Sequence, residues 1–90
     1  MEFQHEKDRI FTLGPDGKLL AEVTFPIAGH TAHINHTFVD RSLRGQGVAA
    51  QLLTAAAEQI RGAGLAAALT CPYAVKWFSE HPEQMDLLEA

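Results

Sequence analysis

Val39-Asp40-Arg41-Ser42-Leu43-Arg44-Gly45-Gln46-Gly47-Val48-Ala49 decides how this chain is read. An apolar run ends at Val39 and a basic turn with two glycines follows. From Gly47 to Arg61 the residues Val48, Leu52, Leu53, Ala56 and Ile60 recur at helical spacing. A strand, a turn and a helix in that order present the unpaired N–H groups of a first helical turn beyond a strand end, where the helix dipole adds partial positive charge. The glycines let a ligand come close to the backbone. Between Arg41 and Ala57 there are two arginines and no acid, in a chain that is acidic as a whole. The pattern suits an anionic, phosphate-like ligand, against the plainer reading of a loop with a glycine-rich helix start. It is neither the Gly-Lys-Ser/Thr loop of nucleoside triphosphatases nor the three-glycine dinucleotide fingerprint.

Upstream, Arg9–Leu13 and Lys18–Ile27 read as strands joined by Gly14-Pro15-Asp16-Gly17, a turn composition that supplies both fixed and positive φ values. In the second strand Leu19, Ala21, Val23, Phe25 and Ile27 are expected to face the core. A third antiparallel strand is expected before the loop, with Ala32, Ile34, His36 and Phe38 on one face and Thr31, His33, Asn35 and Thr37 on the other. Residues 2–6 are read as a continuation of the first strand. Downstream, Gly62 is expected to take the left-handed position after the helix, and Leu65–Thr70 forms a short strand covered on both faces. Pro72 suits the first position of a last helix reaching Glu80. The order β, β, β, α, β, α predicts an α/β fold (α+β, with a mixed sheet). Antiparallel strands are followed by a β-α-β unit and a short C-terminal helix.

Ninety residues are expected to make a single domain, residues 1–90, and 47% apolar with 20% charged residues suit a packed core. Seven Lys and Arg against eleven Asp and Glu give a formal charge of −4, which disfavours non-specific nucleic-acid binding. A single cysteine, Cys71, excludes an intrachain disulfide and a Cys-rich zinc site, so a reducing cytoplasm is the expected location. No apolar run approaches the roughly 20 residues that span a bilayer, so no membrane partner is expected. His30, His33 and His36 invite a metal reading, but alternation separates His33 from the others, and no metal is expected.

Arg44-Gly45-Gln46-Gly47-Val48-Ala49 resembles the Arg/Gln-x-x-Gly-x-Gly/Ala signature of the GNAT superfamily of N-acetyltransferases. The chain also resembles its minimal YjdJ-like subgroup, through Ile34-Asn35-His36-Thr37-Phe38-Val39 before the signature and Cys71-Pro72-Tyr73 after the next strand. The resemblance implies a compact GNAT-like fold and transfer of an acetyl group from acetyl-CoA to a primary amine on a small molecule, a protein or a peptide. It implies that backbone amides from Arg44, Gly45, Gln46, Gly47, Val48 and Ala49 hold the coenzyme A pyrophosphate. Val39 and Phe38 would pair their backbone with the pantetheine arm, as an extended peptide joins a sheet edge. Most family members have N-terminal helices that form part of the acceptor site, and this chain has no room for them. Two other readings remain: an acyl-CoA-binding module without catalysis, and a structural or partner-binding protein.

Cys71 ends a strand and precedes Pro72, which places its sulfur at a helix start, where a thiolate is stabilised. One reading makes it a nucleophile that takes the acetyl group before passing it on; the other makes it a packed thiol. His36 is either a hydrogen-bonded core residue or a base near the acceptor. Tyr73 is read as core in preference to a proton donor for the departing thiolate, and Trp77 and Phe78 as core likewise. Glu80, Glu83, Asp86 and Glu89 form a solvated acidic face.

Overall fold

The computed structural model describes residues 1–89. Strands β1 (Gln4–Glu6), β2 (Arg9–Leu13) and β3 (Leu19–Thr24) form an antiparallel meander. The β2–β3 turn closes through Gly17 N–H to Gly14 O and Gly14 N–H to Lys18 O, with Gly17 at φ +81°. The chain then enters a second sheet through β4 (Ile27–Ala28) and β5 (Thr31–Ile34), and returns to the first with β6 (His36–Val39). A 3-10 turn (Arg41–Leu43) leads to helix α1 (Val48–Gly62). Strand β7 (Ala66–Leu69), helix α2 (Pro72–Ser79) and a further 3-10 turn (Pro82–Leu87) complete the chain. One sheet runs β1-β2-β3-β6, all antiparallel; the other runs β4-β5-β7, with β5 and β7 parallel.

The mixed architecture is the expected one, but two breaks divide the sheet. The strand expected to reach Ile27 stops at Thr24: Phe25 N–H to Asp8 O is the last bond in the β2 register, and Pro26 has no N–H to continue the ladder. The run expected as one strand from Thr31 to Phe38 divides at Asn35. Thr24 stands opposite His36 in register, yet Thr24 O accepts the N–H of Asn35, so two residues face one, as in a β-bulge. Thr24 Oγ1 also donates to Asn35 Oδ1 at 2.6 Å. The extra residue reverses the facing of everything after it. Ala32 and Ile34 are buried, whereas beyond Asn35 it is Thr37 and Val39 that stand opposite the buried Val23 and Ala21. His36 and Phe38 point to the other side.

Helix α1 buries Val48, Ala49, Leu52, Leu53, Ala56, Ala57 and Ile60 against Ile10, Ala21, Val23, Phe25 and Ile34. Each large side chain so buried contributes about 1.5–3 kcal/mol. The helix ends one turn feature later than expected. Gly62 stays helical and Gly64, at φ +74°, takes the left-handed position. Leu65 N–H bonds Ile60 O and Gly64 N–H bonds Arg61 O, the two bonds of a Schellman cap. Helix α2 starts at Pro72 and packs Ala74, Trp77 and Phe78 inward, as expected for the last two. Arg61 binds both carboxylate oxygens of Asp86, at 2.8 and 3.1 Å, so this part of the acidic end is tethered to α1.

Candidate functional site

The parallel pairing of β5 with β7 ends where Ile34 O accepts both Thr70 N–H and Cys71 N–H. Beyond that point β6 follows β3, and β7 runs into α2, so a cleft opens between β6 and the start of α2. A cavity of about 470 Å³ lies there, walled by Thr37, Phe38 and Val39, by Leu43, Arg44, Gly45 and Gly47 of the loop, by Val48 and Ala49 of α1, and by Tyr73.

Strand β6 is the edge of its sheet. Asp40 N–H bonds Leu20 O, which places the hydrogen-bonded pairs at Leu20/Asp40, Glu22/Phe38 and Thr24/His36. The N–H and C=O of Thr37 and Val39 therefore face the open edge, and those of Phe38 face Glu22. Phe38 gives the cavity its side chain, while Thr37 takes the edge role expected of Phe38. Thr37 was hidden in the sequence because an unbroken strand would have put its side chain on the face away from the core.

The loop after β6 is held by Asp40, whose carboxylate accepts Ser42 N–H at 3.0 Å and Ser42 Oγ–H at 2.7 Å. Those two bonds, with Lys18 3.4 Å away, lower the Asp40 pKa to about 2. Gly45 and Gly47 sit at φ +81° and +73°, and a Cβ built on either meets no atom within 4 Å. Both glycines thus meet a backbone demand and border open space. No side chain caps α1 and no acid lies in its first turn. Among the described residues no carbonyl receives the N–H of Gly45, Gln46 or Gly47. Among the described residues Arg41 and Arg44 form no ion pair; Arg44 Nε reaches Val39 O at 3.4 Å. The result is a cluster of free donors and two free cations around one end of the cleft, suited to an anion. Gln46 is the exception among the expected loop residues, because its side chain folds back to Ser42 O at 3.3 Å and does not line the cavity, and neither of the expected catalytic residues, Cys71 and His36, lines it.

At the other end Cys71 is the N-cap residue of α2 and only 7% exposed. Its thiol donates to Thr37 Oγ1 at 3.6 Å. Burial pushes the thiol pKa up, but once the thiol is ionised the Thr37 hydroxyl and the N–H groups of Ala74, Tyr73 and Thr37 donate to the thiolate and outweigh it, and the net shift is down. Tyr73 is not core: it is 53% exposed on the cleft wall. His36, expected on the face of Ile34 and Phe38, shares only that of Phe38. The bulge at Asn35 turns it away from the core, and its side chain is 53% exposed, with Nε2 3.4 Å from Glu22 Oε1. The core reading of His36 is thereby overturned. His30, His33 and His36 do not gather, and among the described residues no three His, Cys, Asp or Glu side chains are arranged to hold a metal.

The family model described as GCN5-related N-acetyltransferase matches residues 9–87. No curated protein sequence matches the chain. Among solved structures, a protein from Staphylococcus aureus assigned as a GCN5-like N-acetyltransferase is 26% identical, with 99% of this chain and 88% of that one covered and a TM-score of 0.80. The ribosomal-protein-S18-alanine N-acetyltransferase of Escherichia coli is 19% identical over 87% of this chain, with a TM-score of 0.67. Rv2747 of Mycobacterium tuberculosis, solved with CoA, is 16% identical over 83% of this chain, with a TM-score of 0.66. This chain covers 54% and 47% of those two proteins, about half their length. The last two likenesses concern the fold alone.

Proposed function

The chain belongs to the GCN5-related N-acetyltransferase family, and from that membership we propose that it transfers the acetyl group of acetyl-CoA to a primary amine. The observation that carries this reading is the pairing of free backbone donors at Gly45–Ala49 with a β6 edge that no strand covers, at two ends of one cleft. A pyrophosphate fits the first: amides from Gly45 to Ala49 bind its oxygens, while the N–H of Arg44, expected among them, is taken by Arg41 O and Arg44 joins Arg41 in adding charge. Each charged hydrogen bond there contributes about 1.5–3 kcal/mol. A pantetheine arm fits the second, its amides pairing with the Thr37 C=O and the Val39 N–H as an added strand, since the Thr37 N–H faces the Cys71 sulfur and Arg44 Nε reaches Val39 O. That path delivers the thioester to the start of α2, beside Tyr73 and Cys71.

Two routes lead from there. In the direct route the amine attacks the thioester carbonyl and coenzyme A leaves as thiolate. In the covalent route the Cys71 thiolate attacks first, the bond from the acetyl carbon to the coenzyme A sulfur breaks, and the amine then takes the acetyl group from Cys71. The lowered Cys71 pKa and the donors around its sulfur favour the second.

Titration with acetyl-CoA followed by amide NMR tests the cleft: the signals of Val39–Ala49 move, and none moving at millimolar ligand removes the reading. Mass spectrometry after mixing with acetyl-CoA tests the route. The wild-type chain gains one acetyl group and Cys71→Ala gains none; a mutant that transfers at the wild-type rate leaves only the direct route.

A further inference from the structure

Cys71 does not itself border the cleft; Thr37 does, and its hydroxyl meets the buried sulfur at 3.6 Å. Thr37 stands opposite the buried Val23 in register, so the side chain turns inward from β6 while the backbone meets the open edge. Three groups of this one residue thus have separate duties. The C=O lies in the path read above for the pantetheine arm, the N–H faces the sulfur, and the hydroxyl is bonded to that sulfur. From the other side the N–H groups of Tyr73 and Ala74, in the first turn of α2, point at the same atom. Ile34 O, at the end of β5, accepts the Cys71 N–H and fixes the backbone that carries the thiol. The donors turned toward the sulfur from β6 and α2 are neutral, so its ionisation depends on hydrogen bonds. Of these donors only the Thr37 hydroxyl can be removed by substituting a side chain.

We propose that Thr37 is a positioning residue that registers acetyl-CoA against Cys71, its C=O fixing the pantetheine arm while its hydroxyl holds the sulfur for attack on the acetyl carbon. The inference rests on the cleft reading and the covalent route above. A hydroxyl suits both states of the sulfur: it accepts S–H from the thiol and, once that proton has gone to solvent, rotates to donate to the thiolate. The bond to the charged form is about twice as strong as a neutral one, so the hydroxyl favours ionisation. The bond from Sγ to the acetyl carbon forms, the bond from that carbon to the coenzyme A sulfur breaks, and its electron pair leaves with coenzyme A as thiolate. Acetylated Cys71 carries no charge and is a weaker acceptor, which releases the Thr37 hydroxyl. Since the arm is held by backbone and the sulfur by side chain, a side-chain substitution at Thr37 slows the reaction of the sulfur and spares binding of the coenzyme.

Cys71 is the single cysteine of the chain, so alkylation by iodoacetamide, followed by mass spectrometry, reads its thiolate alone. Thr37→Val keeps the side-chain shape and suits a strand. It moves the midpoint of the alkylation pH profile upward and slows alkylation at neutral pH by about 10-fold or more. Acetylation of Cys71 at saturating acetyl-CoA slows by a similar factor, while the acetyl-CoA concentration for half the maximal rate stays close to wild type. Thr37→Ser, which restores the hydroxyl, recovers both rates. In all three chains coenzyme A shifts the NMR signal of the Thr37 carbonyl carbon. An unmoved midpoint in Thr37→Val, a Thr37→Ser chain as slow as Thr37→Val, or a carbonyl signal that ignores coenzyme A overturns the proposal. A wild-type chain that binds acetyl-CoA but never carries acetyl on Cys71 overturns it while sparing the cleft; one that fails to bind acetyl-CoA overturns the cleft reading itself.

Discussion

Gly45 and Gly47 hold the left-handed conformation that other residues reach at a cost of roughly 1–2 kcal/mol. Because a Cβ at either position meets no atom, Gly47→Ala has that backbone strain as its only folded-state penalty. The expected outcome is a chemical-denaturation midpoint lowered by an amount corresponding to about 1–2 kcal/mol, together with weaker acetyl-CoA binding as the added methyl enters the space bordered by the loop. A mutant of unchanged affinity would place the pyrophosphate elsewhere. Asp40 makes a second residue-scale prediction. Its carboxyl titrates at about 2 in the folded chain, against an ordinary 3.8. A depressed carboxyl pKa stabilises the fold above the ordinary value, and that contribution is lost as pH falls toward 2. NMR titration of the Asp40 carboxyl finds its midpoint near 2; a midpoint near 3.8 means that the Ser42 bonds are not formed.

At the scale of elements, the bulge at Asn35 is the feature on which the cleft depends. It turns β6 away from β7 and puts Thr37 and Val39 on the open edge. Asn35→Ala removes the bond from Thr24 Oγ1 and costs about 0.5–1.5 kcal/mol. Since Asn35 N–H still bonds Thr24 O, the bulge persists and the amide shifts of Thr37–Val39 stay close to wild type; large shifts there would show that the side chain sets the bulge. This element also marks how far the sequence could be read. The hairpin, α1, β7 and α2 were legible because local composition decides them: turn glycines, apolar spacing of 3.6 and a proline at a helix start. The loop from Arg44 to Ala49 was legible for the same reason, with Gln46 alone turned aside. The division at Asn35 was not. The alternation of Ala32, Ile34, His36 and Phe38 is that of an unbroken strand, and only pairing with β3, distant in sequence, requires the extra residue. The error on His36 descends from that one shift in register, whereas the edge role of Phe38 fails because adjacent residues of any strand point their N–H and C=O to opposite edges. Tyr73 failed separately, since spacing cannot tell which side of a short helix meets a cleft.

For the molecule as a whole, the cleft is built from strand, loop and both helices, and α1 carries its buried face from the Gly45–Gly47 end of the cleft to the Schellman cap at Gly64. A ligand that binds only when these elements are assembled stabilises all of them together. At a hundred times its dissociation constant such a ligand adds about 2.7 kcal/mol. For a chain of this size each kcal/mol raises the melting temperature by about 4–8 °C, so saturating acetyl-CoA raises it by roughly 10–20 °C. The gain divides by ligand fragment in the way the cleft is divided. Coenzyme A, which keeps the pyrophosphate and the pantetheine arm, gives nearly the whole shift. Pantetheine alone gives a small one, because the free donors and the two unpaired arginines are left with water. That difference shrinks as salt is added, since the exposed arginines are screened over a Debye length of about 8–10 Å at moderate ionic strength. Differential scanning calorimetry with acetyl-CoA, coenzyme A and pantetheine at two salt concentrations reads all three quantities. Equal shifts from pantetheine and coenzyme A would mean that the loop from Arg44 to Ala49 holds no phosphate.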